Sequence, residues 1–245
     1  MLVSVLDRVY GVLAALLFSL LIFGLVCPLV ILGPTLNVRR FLGRHGVRLS
    51  LAAIGVPMRV RGLEHLPPGA AIAVANHASY VDGIVLTAAL PPRYTFVVQD
   101  GAASWPYVGL VIKRMGVTFV NRSNPREGAA QTRALMRRVQ DGESLAIFAE
   151  GTFKPDTGLL PFKNGAFLLA AKAAVPVVPV GIRGTRRLYG GTRRLPRWSV
   201  IDIEIGEALP PSHHPGELRD ASRARVLQLC GEPDTAAHPV SGAAA

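Results

Sequence analysis

From Val9 to Val38 the chain carries no charged residue, and most positions are Leu, Val, Ile, Ala or Phe. As one helix that stretch would span roughly 45 Å at about 1.5 Å per residue, against a bilayer hydrocarbon core of about 30 Å. It is long enough to cross with tilt, or to enter and bend back, and Pro28 and Pro34 allow a break near its end. A cleaved signal peptide fits less well, because its apolar region is shorter and no small-x-small site follows before LGPTLNVRR. Beyond the segment the apolar period changes. AIAVAN reads as a short buried strand, SYVDGIVLTAAL as a helix stopped by Pro91 and Pro92, RYTFVVQ as a strand and WPYVGLVIKRMG as a helix. GVTFVNR is a further strand, and SNPREGAAQTRALMRRVQDG a helix with Asn124 as cap, Pro125 first and Gly142 at its end. SLAIFAEG, VPVVPVGI and WSVIDIEIGE complete the strands, with NGAFLLAAKAA and the stretch from Asp220 to Leu229 as helices. Strands alternating with helices predict an α/β sheet covered by helices on its faces.

The pattern divides the chain into a membrane anchor over 1–38, a basic amphipathic connector over 39–66, one folded domain over 67–230 and a disordered Ala-, Pro- and Gly-rich tail over 231–245. A length of 245 residues suits one sizeable domain. Only Arg8 precedes the anchor, offset by Asp7, whereas Arg39, Arg40, Arg44 and Arg48 follow it, so everything after the anchor is expected on the cytoplasmic side.

The formal charge of +11 asks for an anionic partner. Aromatics are not interleaved with the basic residues and no nucleic-acid-binding motif occurs, so nucleic acid is not the expected one. Beside a hydrophobic anchor, anionic lipid fits better, each basic side chain near the surface contributing about 1 kcal/mol. Cys27 and Cys230 make neither a disulfide framework nor a metal cluster, and a reducing compartment suits them.

The chemistry-bearing residues sit where strands end. His77 follows AIAVAN, and Asp82 lies five positions on. Ser79-x-x-Asp82 also reads as an ordinary capping box. Inside one helix, five positions separate two side chains by roughly 140° at 3.6 residues per turn, so the pair could not meet. With His77 in the loop before the helix, the chain can fold it over the first turn, where Asp82 orients the imidazole and stabilises its protonated form. No G-x-S-x-G elbow supplies a nucleophile, so such a pair suits a general base acting on a substrate hydroxyl. GVTFVNR delivers Asn121 and Arg122 at a strand end, Arg being suited to bidentate phosphate capture. FAEGT delivers Glu150, able to bond a hydroxyl, and Gly151, which admits close backbone approach. Singly, each turn also reads as structural.

Taken in order, NH-x4-D, G-x3-VNR, F-x-EGT and VPVVPV resemble the glycerolipid acyltransferase family, nearest its bacterial 1-acyl-glycerol-3-phosphate acyltransferases. The likeness runs from about Gly62 to Gly190 and includes LLPFKNGAF. It implies a mixed sheet flanked by helices, His77 as general base and Asp82 as its partner. It further implies Arg122 on the acceptor's phosphate, Glu150, Gly151 and Thr152 holding the acceptor, and VPVVPV lining or supporting the site. The implied reaction moves a fatty acyl group from acyl-CoA or acyl carrier protein to lysophosphatidic acid at the bacterial inner membrane, with no cofactor and no metal. The alternatives are another lysolipid acceptor such as lyso-ornithine lipid, or a non-catalytic protein binding lipid or a partner at the membrane surface. The chain departs from the family at Ala149, where Pro is common, at Phe153-Lys154 after the third motif, where Arg is common, and at Gln99-Asp100 in place of a lysine-rich segment. These departures bear on the acceptor's head group.

Overall fold

With no charge after Arg8 to interrupt it, the N-terminal segment forms one continuous rod: α1 (Leu2–Ser19), a π-helical stretch (Leu20–Val26) and α2 (Cys27–Leu32). The structure is a computed structural model and describes residues 2–99, 104–120, 125–152, 156–191 and 194–235. Pro28 lies inside the rod, at the start of α2 just after the π-helical turns, and the break falls at Gly33-Pro34 instead. Thr35 then caps α3 (Leu36–Ala53), its Oγ1 accepting the Val38 N–H at 3.3 Å. The helix doubles back along the rod, and the Tyr10 hydroxyl reaches the Ile54 carbonyl at 3.1 Å. Small residues allow this contact, since a Cβ on Gly46 would stand 2.6 Å from Val26. The rod's inner face, Ile22, Val26 and Val30, is buried against Val47 and Leu51, while Leu6, Leu13, Leu16, Leu20 and Leu32 point outward. The stretch Val5–Leu32 is long and apolar enough to cross a membrane.

The rest follows as β1 (Met58–Arg61), β2 (Ile72–Ala75), α4 (Asp82–Ala89), β3 (Tyr94–Gln99), α5 (Pro106–Arg114), β4 (Thr118–Val120) and α6 (Pro125–Gln140). It continues as β5 (Ser144–Phe148), α7 (Gly165–Ala173), β6 (Val177–Arg183), α8 (Thr185–Tyr189), β7 (Ile201–Ile205) and α9 (Pro215–Cys230). Among the described residues the strands form one sheet in the order β1-β7-β6-β2-β5-β3-β4, parallel throughout except where β7 runs against β6. The sheet is therefore mixed and flanked by helices, as expected. Central β2 is buried at every position, as an all-parallel strand covered on both faces must be. Near the edge, β7 alternates: Ile201, Ile203 and Ile205 face inward, and Glu204 meets Arg183 at 2.9 Å on the other side. Helix α9 presses so close to β6 that a Cβ on Gly181 would stand 2.5 Å from Leu229.

Two expected boundaries move. Strand β1 lies within 39–66 yet pairs with β7, so the folded unit starts before residue 67. The stretch after Gly231 is held as far as Thr235: Glu232 accepts from Gly158 at 2.7 Å and pairs with Arg186 at 2.9 Å, while the Thr235 hydroxyl donates to Leu159 at 2.6 Å. Residues 236–245 lie outside the described part.

The arginines that follow the anchor are bound to backbone. Arg40 donates to Met115 and Pro92 at 3.0 and 3.1 Å, Arg44 to Ala89 at 3.3 Å and Arg48 to Ala88 at 2.8 Å. Arg114 reciprocates from α5, reaching the Ile31 carbonyl with Nε and Nη2 at 3.0 and 2.7 Å. Apart from that of Pro92, these carbonyls belong to the ends of α4, α5 and α2, which lack intrahelical donors and carry the negative end of each helix dipole. Burial pulls the Arg40 guanidinium below its usual range, against the opposing pull of Glu143. Arg40→Ala is expected to cost roughly 2–4 kcal/mol, because two charge-assisted bonds go and buried carbonyls remain. Urea unfolding in detergent checks it, with exposed Arg59→Ala expected to leave the midpoint unchanged.

Candidate active site

Because β2, β5 and β6 are parallel neighbours, their carboxyl ends emerge along one edge of the sheet. In open α/β sheets that edge is where ligands bind. Beyond Ala75, the last paired residue of β2, the Asn76 side chain continues the ladder. Its Oδ1 accepts the Ile182 N–H at 2.7 Å and its Nδ2 donates to the Ile182 carbonyl at 3.0 Å, as a peptide unit would. The main chain is thereby released from pairing one residue early, and His77 begins a loop.

Asp82, with no exposed surface, closes that loop. Its Oδ2 accepts the N–H groups of Ala78 and Ser79 at 2.6 and 2.7 Å and faces His77 Nδ1 at 2.9 Å. A carboxylate on Nδ1 fixes the tautomer: Nδ1 donates, and Nε2 keeps its lone pair. Asp82 also opens α4, where the helix dipole favours its charge. The capping box is half formed. Asp82 bonds back to the Ser79 N–H, but the helix begins at Asp82, and the Ser79 hydroxyl is drawn to the Tyr189 carbonyl at the end of α8. The His77 side chain is 20% exposed, so the imidazole is held yet reachable.

Strand β5 supplies the floor and the clamp. The Phe148 ring stacks on the His77 ring at 4.1 Å between centroids and 15° between planes. Glu150 is only 3% exposed, and its two oxygens accept the backbone N–H groups of His77 at 2.6 Å and Leu160 at 2.8 Å. Its expected bond to a ligand hydroxyl therefore gives way to a grip on the histidine's own backbone. Burial pushes the Glu150 carboxyl up to about 7, against the pull of those two donors. Gly151 turns the chain at a φ of +76°, in the left-handed region that favours glycine. Thr152 follows, exposed at the same edge. Strand β4 ends at Val120 on that edge, but Asn121 and Arg122 lie outside the described residues, as do Phe153 and Lys154. VPVVPV runs into β6, where Val177, Val178 and Val180 are wholly covered, and the strand serves the site through Ile182 and Asn76.

Asn76 and Phe148 were quoted within sequence motifs without a role. The signal was present in both cases: an amide just past a strand end can imitate a peptide, and an aromatic at the last position of a strand lies beside the loops that leave the same edge. Among the described residues, no group of three or more His, Cys, Asp or Glu side chains is arranged to hold a metal ion.

A family model described as Acyltransferase matches residues 57–183, from just before β1 to the end of β6. The lyso-ornithine lipid O-acyltransferase of Rhizobium meliloti (strain 1021) is 34% identical over 228 residues, 80% of this chain and 74% of that protein. The chloroplastic 1-acyl-sn-glycerol-3-phosphate acyltransferase BAT2 of Brassica napus is 37% identical over 131 residues, 53% of this chain and 38% of its own. The 1-acyl-sn-glycerol-3-phosphate acyltransferase of Neisseria gonorrhoeae is 30% identical over 65% of this chain and 61% of its own. The chain thus spans less than two thirds of the length of several curated relatives it matches. The crystal structure of the 1-acyl-sn-glycerophosphate (LPA) acyltransferase PlsC from Thermotoga maritima shares the fold, with a TM-score of 0.76 at 22% identity over 91% of this chain and 95% of that one.

The buried acid gives a pH signature. A carboxyl that holds its proton more tightly when folded contributes stability that is fully present below its unfolded value and lost as pH rises through its folded one. For Glu150 that window runs from 4.5 to about 7. Over it the wild-type chain should lose stability of the order of 3 kcal/mol. Glu150→Gln should be less stable overall but nearly flat across the same window, as read by thermal unfolding in detergent at pH 5, 6, 7 and 8.

Proposed function

Because the chain belongs to the acyltransferase family, we propose that it transfers a fatty acyl group from a thioester to the free hydroxyl of lysophosphatidic acid, making phosphatidic acid. The observation that carries this reading is the His77–Asp82 pair at the carboxyl edge, with Nδ1 tied to the buried carboxylate. The names of the Brassica and Neisseria relatives support the acceptor. His77 Nε2 takes the hydroxyl proton as that oxygen attacks the thioester carbonyl, and Asp82 stabilises the imidazolium that forms. The new C–O bond gives a tetrahedral oxyanion. Its collapse breaks the C–S bond, and the departing thiolate recovers the proton from His77. No covalent acyl-enzyme, metal or cofactor enters the scheme. Arg122, Gly151 and Thr152 are assigned to the acceptor; Glu150 serves it indirectly by fixing the His77 backbone.

Acyl-CoA or acyl carrier protein is the donor in this scheme. The apolar rod anchors the protein in the bacterial inner membrane with the sheet on the cytoplasmic face, an orientation favoured by the arginines that follow it. Acceptor and product are both membrane lipids, so an anchored enzyme meets them without extracting them.

A second acceptor, lyso-ornithine lipid, is favoured by the relative matched over 80% of this chain. A donor-by-acceptor grid on wild type and His77→Ala tests all of this together. Wild type should acylate lysophosphatidic acid with acyl-CoA or acyl carrier protein, and His77→Ala should lose activity by roughly 10²- to 10⁴-fold or more. Near-wild-type transfer by His77→Ala would overturn the mechanism, and preference for lyso-ornithine lipid would move the assignment to the second acceptor.

A further inference from the structure

Helix α9 ends beside Gly181, near the carboxyl end of β6, where Leu229 presses on that strand. Gly231, at a φ of +64°, turns the chain out of the helix. Residues 232–235 then lie along residues 158–160, in the connection from β5 to α7. Leu159 pairs with Asp234 as a single parallel bridge. Its N–H donates to the Pro233 carbonyl at 2.8 Å, and its carbonyl accepts the Thr235 hydroxyl at 2.6 Å. Arg223 of α9 reinforces the crossing, donating to the Leu159 carbonyl at 2.9 Å and to both Asp234 oxygens at 3.1 and 2.5 Å. Leu159 is wholly buried, so its backbone groups need protein partners, and this segment provides them. The fit is close: a Cβ on Gly158 would overlap the Thr235 side chain.

Two routes lead from this segment to the His77 loop, and they part at one carboxylate. Glu232 Oε2 accepts the Gly158 N–H at 2.7 Å, and its Oε1 accepts from Arg186 Nε at 2.9 Å. On the first route the held turn aims the Leu160 N–H at Glu150, whose other oxygen accepts the His77 N–H. On the second, Arg186 belongs to α8 and also donates to the Asp156 carbonyl at 2.8 Å. The Tyr189 carbonyl at the end of α8 accepts the Ser79 hydroxyl. The loop from Asn76 to Asp82 is thus gripped at His77 and at Ser79, by two elements that both rest on Glu232. The Glu232 and Arg186 side chains are 14% and 16% exposed, so salt and water screen their contact weakly.

We propose that residues 232–235 form a strap that sets the position of His77, with Glu232 as a positioning residue for acyl transfer. This rests on the reading of His77 as the general base. Loss of the Glu232 carboxylate leaves the Gly158 N–H and Arg186 without the acceptor they share, and loosens both routes at once. A general base tolerates little displacement, since about 1 Å can cost about 10²-fold in rate.

The test compares Glu232→Ala with wild type, as full chains in detergent. Transfer to lysophosphatidic acid should show kcat lower by roughly 10- to 100-fold with KM within about twofold, because the acceptor's own contacts remain. Independently of turnover, the imidazole signals of 15N-histidine-labelled protein, assigned to His77 by their loss in His77→Ala, should shift or broaden as the Nδ1 contact with Asp82 changes. A merely structural strap would lower the unfolding temperature and leave those signals in place. Thr235→Val removes a single strap bond and gives the same comparison if Glu232→Ala folds poorly. An unmoved His77 signal in the folded variant overturns the strap, whatever the turnover. A moved signal in a protein whose His77→Ala variant still transfers acyl groups supports the strap and removes the base assignment instead.

Discussion

One buried oxygen, Asp82 Oδ2, holds the loop on which the candidate chemistry depends. It accepts from two consecutive backbone N–H groups and faces an imidazole nitrogen. A carboxylate without exposed surface is costly to bury unless donors meet its charge; here Oδ1 is buried without a partner, and every donor to Oδ2 is a group that shapes the His77 loop. The need to satisfy Asp82 and the need to aim His77 are a single constraint. Glu150 acts on the opposite side of the residue, gripping the His77 backbone while Phe148 backs its ring. The imidazole is thus fixed at its nitrogen, its ring face and its main chain, with its exposed side facing outward.

That arrangement requires the strand ends to be neighbours. Parallel pairing of β2 with β5 and β6 aligns their carboxyl ends, and a long connection through a helix is the ordinary means of joining such strands. Asn76 extends the alignment by one residue with side-chain atoms in place of main chain. The switch to antiparallel at β7 then brings Trp198 to the same edge and leaves β1 to finish the sheet against β7.

The apolar helices join the domain through guanidinium groups bound to helix-end carbonyls, in both directions across the contact. Arginine suits this because it cannot be neutralised and offers several donors in a planar fork. The basic character of residues 39–48 is therefore spent largely on protein, and among the described residues Arg194 and Arg197, between α8 and β7, add exposed positive charge at the carboxyl edge. Composition alone could not separate the two uses.

The amino-acid sequence by itself determined the apolar rod, the alternation of strands and helices, the position of His77 just past a strand and the loop that lets it reach Asp82. All of these follow from local hydrophobic period, turn chemistry and the reach of a short loop. It left three other things undecided. Glu150 read as a ligand for substrate because its type suggested a hydrogen bond without saying to what; burial beneath the His77 loop made the partner a backbone N–H. MRVR was absorbed into the connector because four alternating residues at a sheet edge carry little apolar signal, and only β7 made them a strand. The arginines after Pro34 read only as the basic flank of the anchor until α4 and α5 packed their carbonyl ends against α3. In each case the deciding partner lies far away in the chain, and only the folded sheet brings the two together.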